Sequence, residues 1–529
     1  MLPVLTAAEM RAADRATIDE VGLPGALLME NAGAAVASAI LARYPGARHA
    51  VVVCGKGNNG GDGFVVARRL RHLGATAILV ARRDDVAGDA RVHLRAYERS
   101  GGEILEGGAE GAWPAAEARL GAADLVVDAL LGTGLDQEPR ALAKQAIASM
   151  RSAADRGVPV VAVDVPSGVP SDSGQVPWPA VRADLTVTFA AAKLGHVLPP
   201  ACDLVGELIV ADIGIPESCL AATGSRVGLI EASDAARAFA VRAPGSHKGT
   251  FGHVLVIAGS VGKTGAAVLA ATAALRGGAG LVTLAAPERA LAFLPGLRPE
   301  LMTEPLAATG AGAIGGSTAL ARALDLAEAR DAVVLGPGLG QEAETRDFVR
   351  EFVARCRRPL VVDADGLNAL GAIGDPKAPV APARGGPMVL TPHPGEMARL
   401  LNTTSAAVQS GRLEVARALS LRTGAHVVLK GQRTLVAEPS GRVAVNPTGN
   451  PGMATGGTGD VLAGLLGALL ARHDPWLASL AAAFVHGRAG DLAAARLGQS
   501  SLLAGDLIDE LAHAIGSLRS SGGASSARG

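Results

Sequence analysis

The sequence predicts an α/β protein of two domains, each built on a parallel sheet with helices packed against it. From residue 50 onward, short Val-rich runs alternate with glycine-rich or acidic turns and amphipathic stretches, the pattern of strands joined by helical crossovers. The alternation lapses between residues 212 and 243, in the weakly periodic text IPESCLAATGSRVGLIEASDAARAF, and restarts after the polar APGSHKGTFG. The length of 529 residues also exceeds what one core organises, since domains run to roughly 100–200 residues.

In order, the first half is expected to form strands at 49–54, 76–80, 124–128, 159–164 and 185–189. The second half is expected to form them at 253–258, 280–285, 332–335, 360–363, 388–391 and 425–430, followed by helices to about residue 515. The domain limits are then 1–215 and 242–515, with a linker at 216–241. The closing SLRSSGGASSARG has the Ser/Gly composition of a flexible tail, placed at 516–529.

Composition excludes several function classes. With 49 basic and 50 acidic side chains spread along the chain, no basic stripe is offered to nucleic acid. Hydrophobic residues make up 49%, but Ala and Gly supply much of this and aromatics only 2%, which suits helices packed closely on a sheet. Cys54, Cys202, Cys219 and Cys356 form no CxxC pair and are expected as buried thiols of a cytoplasmic protein. The first residues lack the basic-then-apolar order of an export signal. Apolar runs such as 461–471 and 266–275 stop well short of the roughly 20 residues that span a bilayer, so no membrane partner is expected. Homo-oligomerisation is left open.

The first chemical constellation follows the strand at 49–54, where Gly55-Lys-Gly57-Asn58-Asn59-Gly60-Gly61-Asp62-Gly63 leads into a helix. Glycines there let backbone N–H groups approach an anion. The next strand ends in Ala81-Arg82-Arg83 rather than in an acidic ribose contact, which leaves an NADP-dependent dehydrogenase as a rival. Asn58, Asn59 and Asp62 instead crowd polar oxygens into the turn, and these suit a cation or a polar substrate. Two more strands end in carboxylates before glycine turns, Asp128 in VVDALLGTG and Asp164 in VAVDVPSG. Any one such Asp is best read as a turn cap. Three of them at the carboxyl ends of parallel strands point to a site.

The second constellation is Asn450-Pro-Gly-Met-Ala-Thr-Gly456-Gly457-Thr458-Gly459-Asp460, opening an apolar helix. Its free N–H groups would form an anion hole at a helix N-terminus, and Asp460 could take a proton from a substrate hydroxyl there. An N-capping Asp is the plainer reading, but it leaves the glycines unexplained. Gly262-Lys263-Thr264 is not a P-loop, because Ile257 stands where that motif needs Gly.

The motifs LLMENAG at 27–33, NNGGDG at 58–63, DALLGTG at 128–134 and DVPSG at 164–168 resemble the NAD(P)HX epimerase family, also called the YjeF N-terminal domain, over about residues 1–215. The resemblance implies a Rossmann-like parallel sheet with helices on both faces. It implies that Asn58, Asn59, Gly60, Gly61 and Asp62, together with Gly132, Thr133, Gly134, Leu135, Asp136, Gln137 and Glu138, line the substrate. It further implies that Asn59, Asp128 and Ser167 hold K+ and that Asp164 is the general acid/base, itself in contact with substrate. Lys193 could assist, but a surface lysine is the expected reading.

From KGTFGHVLVIAGS through GGAGLVTLA, GPGLG, DADGLNAL, LTPHPGEMARL and LKGQRT to NPTGNPGMATGGTGDVLAG, residues 242–510 resemble the ADP-dependent NAD(P)HX dehydratase of the ribokinase-like superfamily. That implies a ribokinase-like α/β domain, with Lys430, Gly431, Gln432, Arg433, Thr434 and Gly459 on the adenine nucleotide. Ala266, Gly338, His393 and Asp460 would face the hydrated nicotinamide, with Asp460 as catalytic base and ADP as cosubstrate. Glu396 is a candidate for ordering water around Mg2+, and a helix-start Glu explains it equally. Asp363, Asp365 and Asn368 form a further polar turn, read evenly as site or as turn stabiliser.

The implied function is repair of hydrated NADH and NADPH: epimerisation of the R and S forms of NAD(P)HX, then dehydration of the S form with release of AMP and phosphate. Rivals are a small-molecule kinase, which leaves the first half idle, and a non-catalytic first half. The set Asn59, Asp128 and Asp164 argues against the latter.

Overall fold

The computed structural model describes residues 1–292, 294, 298–373 and 385–522. It divides into two compact units, one spanning Leu2–Val227 and the other running from Gly228.

The first unit is built on seven strands in the order Glu103–Glu106, Thr76–Leu79, Ala50–Cys54, Leu125–Ala129, Val160–Val163, Leu185–Phe189 and Glu207–Ala211. Every neighbouring pair is parallel, with Val53 beside Asp128 and Val163 beside Val187. Side chains of a strand alternate between faces. Val52 and Cys54 therefore enter one core with Phe64 and Val66 of helix Asn58–Arg69, while Val51 and Val53 enter the other with Ile147 and Met150 of helix Ala141–Asp155. Burial on both faces is why these strands read as unbroken apolar runs. A short parallel pair, Leu2–Leu5 with Ala192–Lys193, sets Leu5 opposite Lys193. It leads into helix Ala7–Ala16, which opens on a capping box between Thr6 and Glu9.

Helix Gly25–Arg43 is long and apolar enough to cross a membrane by length and composition. Here it contributes Leu28, Ala32, Val36 and Ile40 to the core, and its Glu30 pairs with Arg68 and Arg69.

The second unit carries Met302–Leu306, Leu281–Pro287, His253–Ile257, Ala332–Leu335, Leu360–Val362, Met388–Leu390 and His426–Leu429 as parallel neighbours, then Leu435–Ala437 and Val443–Val445 antiparallel. Helix Thr458–Leu470 is buried on every side from Val461 to Leu470, as expected of a helix apolar all round. Gly464 permits that position, since a Cβ there would lie 1.9 Å from the Ala270 carbonyl oxygen of helix Thr264–Arg276.

The expected central strands form, with ends shifted by a residue or two. The antiparallel pair after His426–Leu429 corrects the expectation of helices alone from that point. The interval 216–241 is not bare linker: it forms helices Glu217–Ala222 and Ala232–Ala236, with Cys219 in the core of the first unit and Ile230, Ala235 and Ala238 in that of the second. The tail begins later than expected, because helix Ala504–Gly522 continues through 516 with Leu507, Leu511, Ala514 and Leu518 buried at helical spacing. Residues 523–529 lie outside the described residues. All four cysteines are buried.

Candidate active sites

Asp164 ends the strand Val160–Val163 with φ +63°, a left-handed conformation that Asp tolerates better than most residues. Its Oδ1 accepts hydrogen bonds from Thr188 Oγ1 (2.8 Å) and Lys193 Nζ (2.7 Å). Lys193 Nζ also donates to Thr188 Oγ1 (2.8 Å) and to the Phe189 carbonyl (3.2 Å). The expected surface lysine is thus a buried one, 1% exposed, because the short strand carrying it turns it into the unit. A cation that deep requires a partner charge. Burial alone would raise the Asp164 carboxyl, but the ammonium beside it and the hydrogen bonds from Lys193 and Thr188 hold it below the ordinary value. His196 accepts the Lys193 backbone N–H (3.0 Å), and burial, then the ammonium, depress its ring to about 3, so the imidazole is neutral.

A cavity of about 660 Å³ opens over this pair. It gathers Asn58, Asn59, Asp62, Gly132, Thr133, Gly134, Leu135, Asp164 and Lys193. Gly60 and Gly61 lie behind its wall and have a packing role: a Cβ on Gly60 would sit 1.8 Å from the Gly55 carbonyl oxygen, and one on Gly61 2.4 Å from Met29 Sδ. Asp136, Gln137 and Glu138 are exposed and do not line it; Glu138 pairs with Lys144 instead. Asp14, on the first helix, lines the cavity although nothing in its sequence surroundings singles it out.

Asp128 is fully buried, with Oδ1 accepting from Ser167 Oγ (2.6 Å) and Oδ2 from the Ser167 N–H (2.7 Å). Burial raises its pKa to about 6 against those bonds. Asn59 donates through Nδ2 to the Leu131 carbonyl (2.9 Å), and its buried Oδ1 has no partner among the described residues. Carbonyl, carboxylate and hydroxyl oxygens with one orphan acceptor fit a hard monovalent cation. Among the described residues no group of three His, Cys, Asp or Glu could hold a transition metal.

In the second unit, Gly457 caps helix Thr458–Leu470 with φ +93°, and a Cβ there would meet Leu269 Cδ1 at 2.5 Å. Asp460 is the third helical residue, so it is no N-cap, and among the described residues its carboxylate has no hydrogen bond or ion pair. Burial, reinforced by the Asp363 charge and opposed by Lys430, raises it to about 7. Asp363 Oδ1 accepts from Lys430 Nζ (2.7 Å) and Thr391 Oγ1 (2.7 Å), while Oδ2 is buried without a partner. Lys430 Nζ also lies 3.7 Å from Glu396 Oε2. Burial disfavours that ammonium, yet the two carboxylates raise it above the ordinary lysine value. Gly459 leaves room for this group, since a Cβ there would be 3.2 Å from Lys430 Nζ.

His393 caps helix Pro394–Leu400 through its ring, and Glu396 Oε2 accepts the His393 N–H at 2.8 Å. Gly338, at φ +64°, places Ala266 within 3.0 Å of where its Cβ would lie. Along the run from Lys430, Gly431 (φ +132°) packs on Arg412, Arg433 takes φ +54°, and Thr434 Oγ1 donates to the Gly431 carbonyl. Gln432 lies between them. Of the polar turn, Asp363 joins the site, whereas Asp365 fastens Gly340 and Lys263 and Asn368 is held by Arg399. His486 and Asp491, both on helix Pro475–Leu497, were not foreseen. They anchor the glycine loop through the Thr458 carbonyl (2.8 Å) and the Gly449 N–H (3.0 Å).

Two sheets, one parallel and one mainly so, each with a buried carboxylate at its carboxyl edge, define an α/β enzyme with two active sites. Residues 254–513 match the family described as NAD(P)H-hydrate dehydratase, and residues 25–195 match the YjeF-related protein N-terminus. The chain is 44% identical over 521 residues to the bifunctional NAD(P)H-hydrate repair enzyme Nnr of Moorella thermoacetica, covering 97% of each. It is 38% identical over 506 residues to that of Escherichia coli, covering 95% of this chain and 92% of the relative. Among solved structures, the ADP/ATP-dependent NAD(P)H-hydrate dehydratase from Bacillus subtilis, co-crystallised with ATP and Mg2+, is 32% identical. It covers 55% of this chain and 99% of its own, with a TM-score of 0.49. The chain belongs to the family of bifunctional NAD(P)H-hydrate repair enzymes.

Proposed function

We propose that the first unit interconverts the R and S epimers of NAD(P)HX and that the second dehydrates the S form with ADP, returning NAD(P)H, AMP and phosphate in the cytoplasm. The observation that carries this reading is that the two site carboxylates are held in opposite states. Asp164 is held ionised by Lys193, whereas Asp460 is raised to about 7 with no hydrogen-bond or ion-pair partner among the described residues. Groups tuned apart in this way serve different proton transfers.

In the first unit, the Asp164 carboxylate accepts a proton from the inverting centre or from water beside it, and Lys193 keeps that carboxylate oriented. Asn59, Asp128 and Ser167 would hold K+, which when bound fixes the oxygens of the 131–134 turn against the substrate.

In the second unit, Lys430 to Thr434 and Gly459 bind ADP, with Ala266, Gly338 and His393 beside the hydrated ring. Asp460 removes the proton of the ring hydroxyl as its oxygen attacks the terminal phosphorus, and the N–H groups of the glycine turn stabilise charge on the phosphoryl oxygens. Phosphate then departs with its C–O bond electrons, and loss of a proton from the neighbouring carbon restores the ring double bond. Asp363 Oδ2, buried without a partner, and Glu396 would hold Mg2+ through its waters, and the ion when bound neutralises phosphate charge.

The test is recovery of dihydronicotinamide absorbance from mixed epimers with K+, Mg2+ and either ADP or ATP. Complete conversion with ADP is expected. A stall once the S epimer is consumed would make the first unit a binding module, and no recovery would favour an ordinary kinase.

A further inference from the structure

The epimerase cavity is also lined by Asp62 and Asp14, to which the steps above give no proton-transfer role. Asp62 is only 8% exposed yet lines the cavity, and neither it nor Asp14 has a side-chain hydrogen bond or ion pair among the described residues. Asp62 enters from the helix that follows strand Ala50–Cys54, and Asp164 ends strand Val160–Val163, with Leu125–Ala129 between them. Both carboxyls therefore line one cavity from different elements, and its volume of about 660 Å³ admits a ring.

We propose that Asp62 is a second proton-transfer group of this site, acting on the face of the bound ring opposite Asp164, with Asp14 as its positioning residue. The inference rests on the epimerase reading. The inverting carbon of the hydrated ring bears a hydroxyl and is bonded to the ring nitrogen, so its C–O bond breaks readily once that hydroxyl is protonated. Asp62 gives its proton to the hydroxyl, which leaves as water while the nitrogen lone pair forms a planar iminium. A second water adds from the Asp164 side and surrenders its proton to that carboxylate. One C–O bond breaks and one forms, no centre changes oxidation state, and one proton passes from Asp62 to Asp164. The opposite epimer runs the steps in reverse, and in net turnover the pair resets by exchanging one proton with solvent water, which gives a proton to Asp62 and takes one from Asp164.

The surroundings favour the protonated form. Burial pushes the Asp62 carboxyl well above the ordinary value, with Asp164 and then Asp14 adding to the effect and Lys193 opposing it. The other charged groups lining the cavity are Arg11, Lys56 and Asp89. On the helices packed against Asn58–Arg69, Glu30 is paired with Arg68 and Arg69, with His93 beside it.

The experiment follows epimer interconversion above the uncatalysed rate by the full chain, without ADP, in H2 18O and across pH. The wild type is expected to take up one solvent oxygen per inversion. Asp62→Asn is expected to lose at least about 100-fold in rate with an unchanged near-UV circular dichroism spectrum. Asp14→Asn is expected to keep the rate at the acid end while its alkaline limb moves to lower pH. Wild-type inversion without solvent oxygen, an Asp62→Asn rate within threefold, or an Asp14→Asn loss uniform across pH would each overturn the proposal. A wild-type chain with no epimerase activity would sink the underlying reading as well.

Discussion

The Lys193 ammonium lies 2.7 Å from Asp164 Oδ1, with only 1% of the lysine side chain open to solvent. The pair holds the structure together at this point, because removing either partner strands a charge in the interior.

Lys193→Met is expected to destabilise the first unit by about 3–5 kcal/mol, the scale for breaking a buried pair. Because Lys193 holds the Asp164 pKa below its unfolded value, the pair's stabilisation is present above the ordinary carboxylate range and is lost as pH falls through the depressed value. Melting curves of wild type and variant should therefore converge at strongly acid pH. A constant gap would show that the lysine acts through packing alone.

Asp460→Asn is expected to lower dehydration by about 100-fold or more while epimerisation continues, and Asp164→Asn to do the reverse. If either variant, still folded, lost both activities, the division of labour between the units would be wrong.

Dehydration should rise with pH around 7, as the carboxyl raised to about that value ionises into a base. The same raised pKa makes the folded state hold its proton longer than the unfolded one, so this group costs stability as pH climbs from about 4 through 7. Asp460→Asn should accordingly melt above wild type at pH 8 and show no such gain at pH 4.

Replacing K+ by choline should lower the melting temperature of the first unit, since a ligand at a hundred times its Kd contributes about 2.7 kcal/mol. Asn59→Leu removes the orphan Oδ1 and should abolish the difference. A variant as K+-responsive as wild type would place the ion elsewhere.

Gly464→Ala should cost about 1–3 kcal/mol through overpacking, because the new methyl meets the Ala270 carbonyl oxygen. Dehydration should fall with it, as the displaced helix carries Asp460, and calorimetry alongside an activity assay would separate the two losses.

Most central strands were legible because burial on both faces writes them as continuous apolar runs. The edge strands Glu103–Glu106 and Glu207–Ala211 were not, since half-exposed positions admit charges that imitate loops. The placement of Asp164 at a strand end before a glycine turn, and of Asp460 in the first turn of a helix after one, was readable from the sequence. Lys193 was not, because a strand of two residues has no period to detect and its burial comes from pairing with Leu5. Asp14 sits in an amphipathic helix where an acid ordinarily faces water, and only the tertiary fold turns it toward the cavity.

The pairing of Leu5 with Lys193 also bears on synthesis. Leu5 cannot meet its strand partner until Lys193, about 190 residues further along, has been made, and closing so long a loop comes late in folding. The strand pairing that buries the partner of Asp164 thus closes late, and a nascent chain halted before residue 193 would hold the strands through Leu185–Phe189 with the Asp164 carboxylate still lacking its counter-ion.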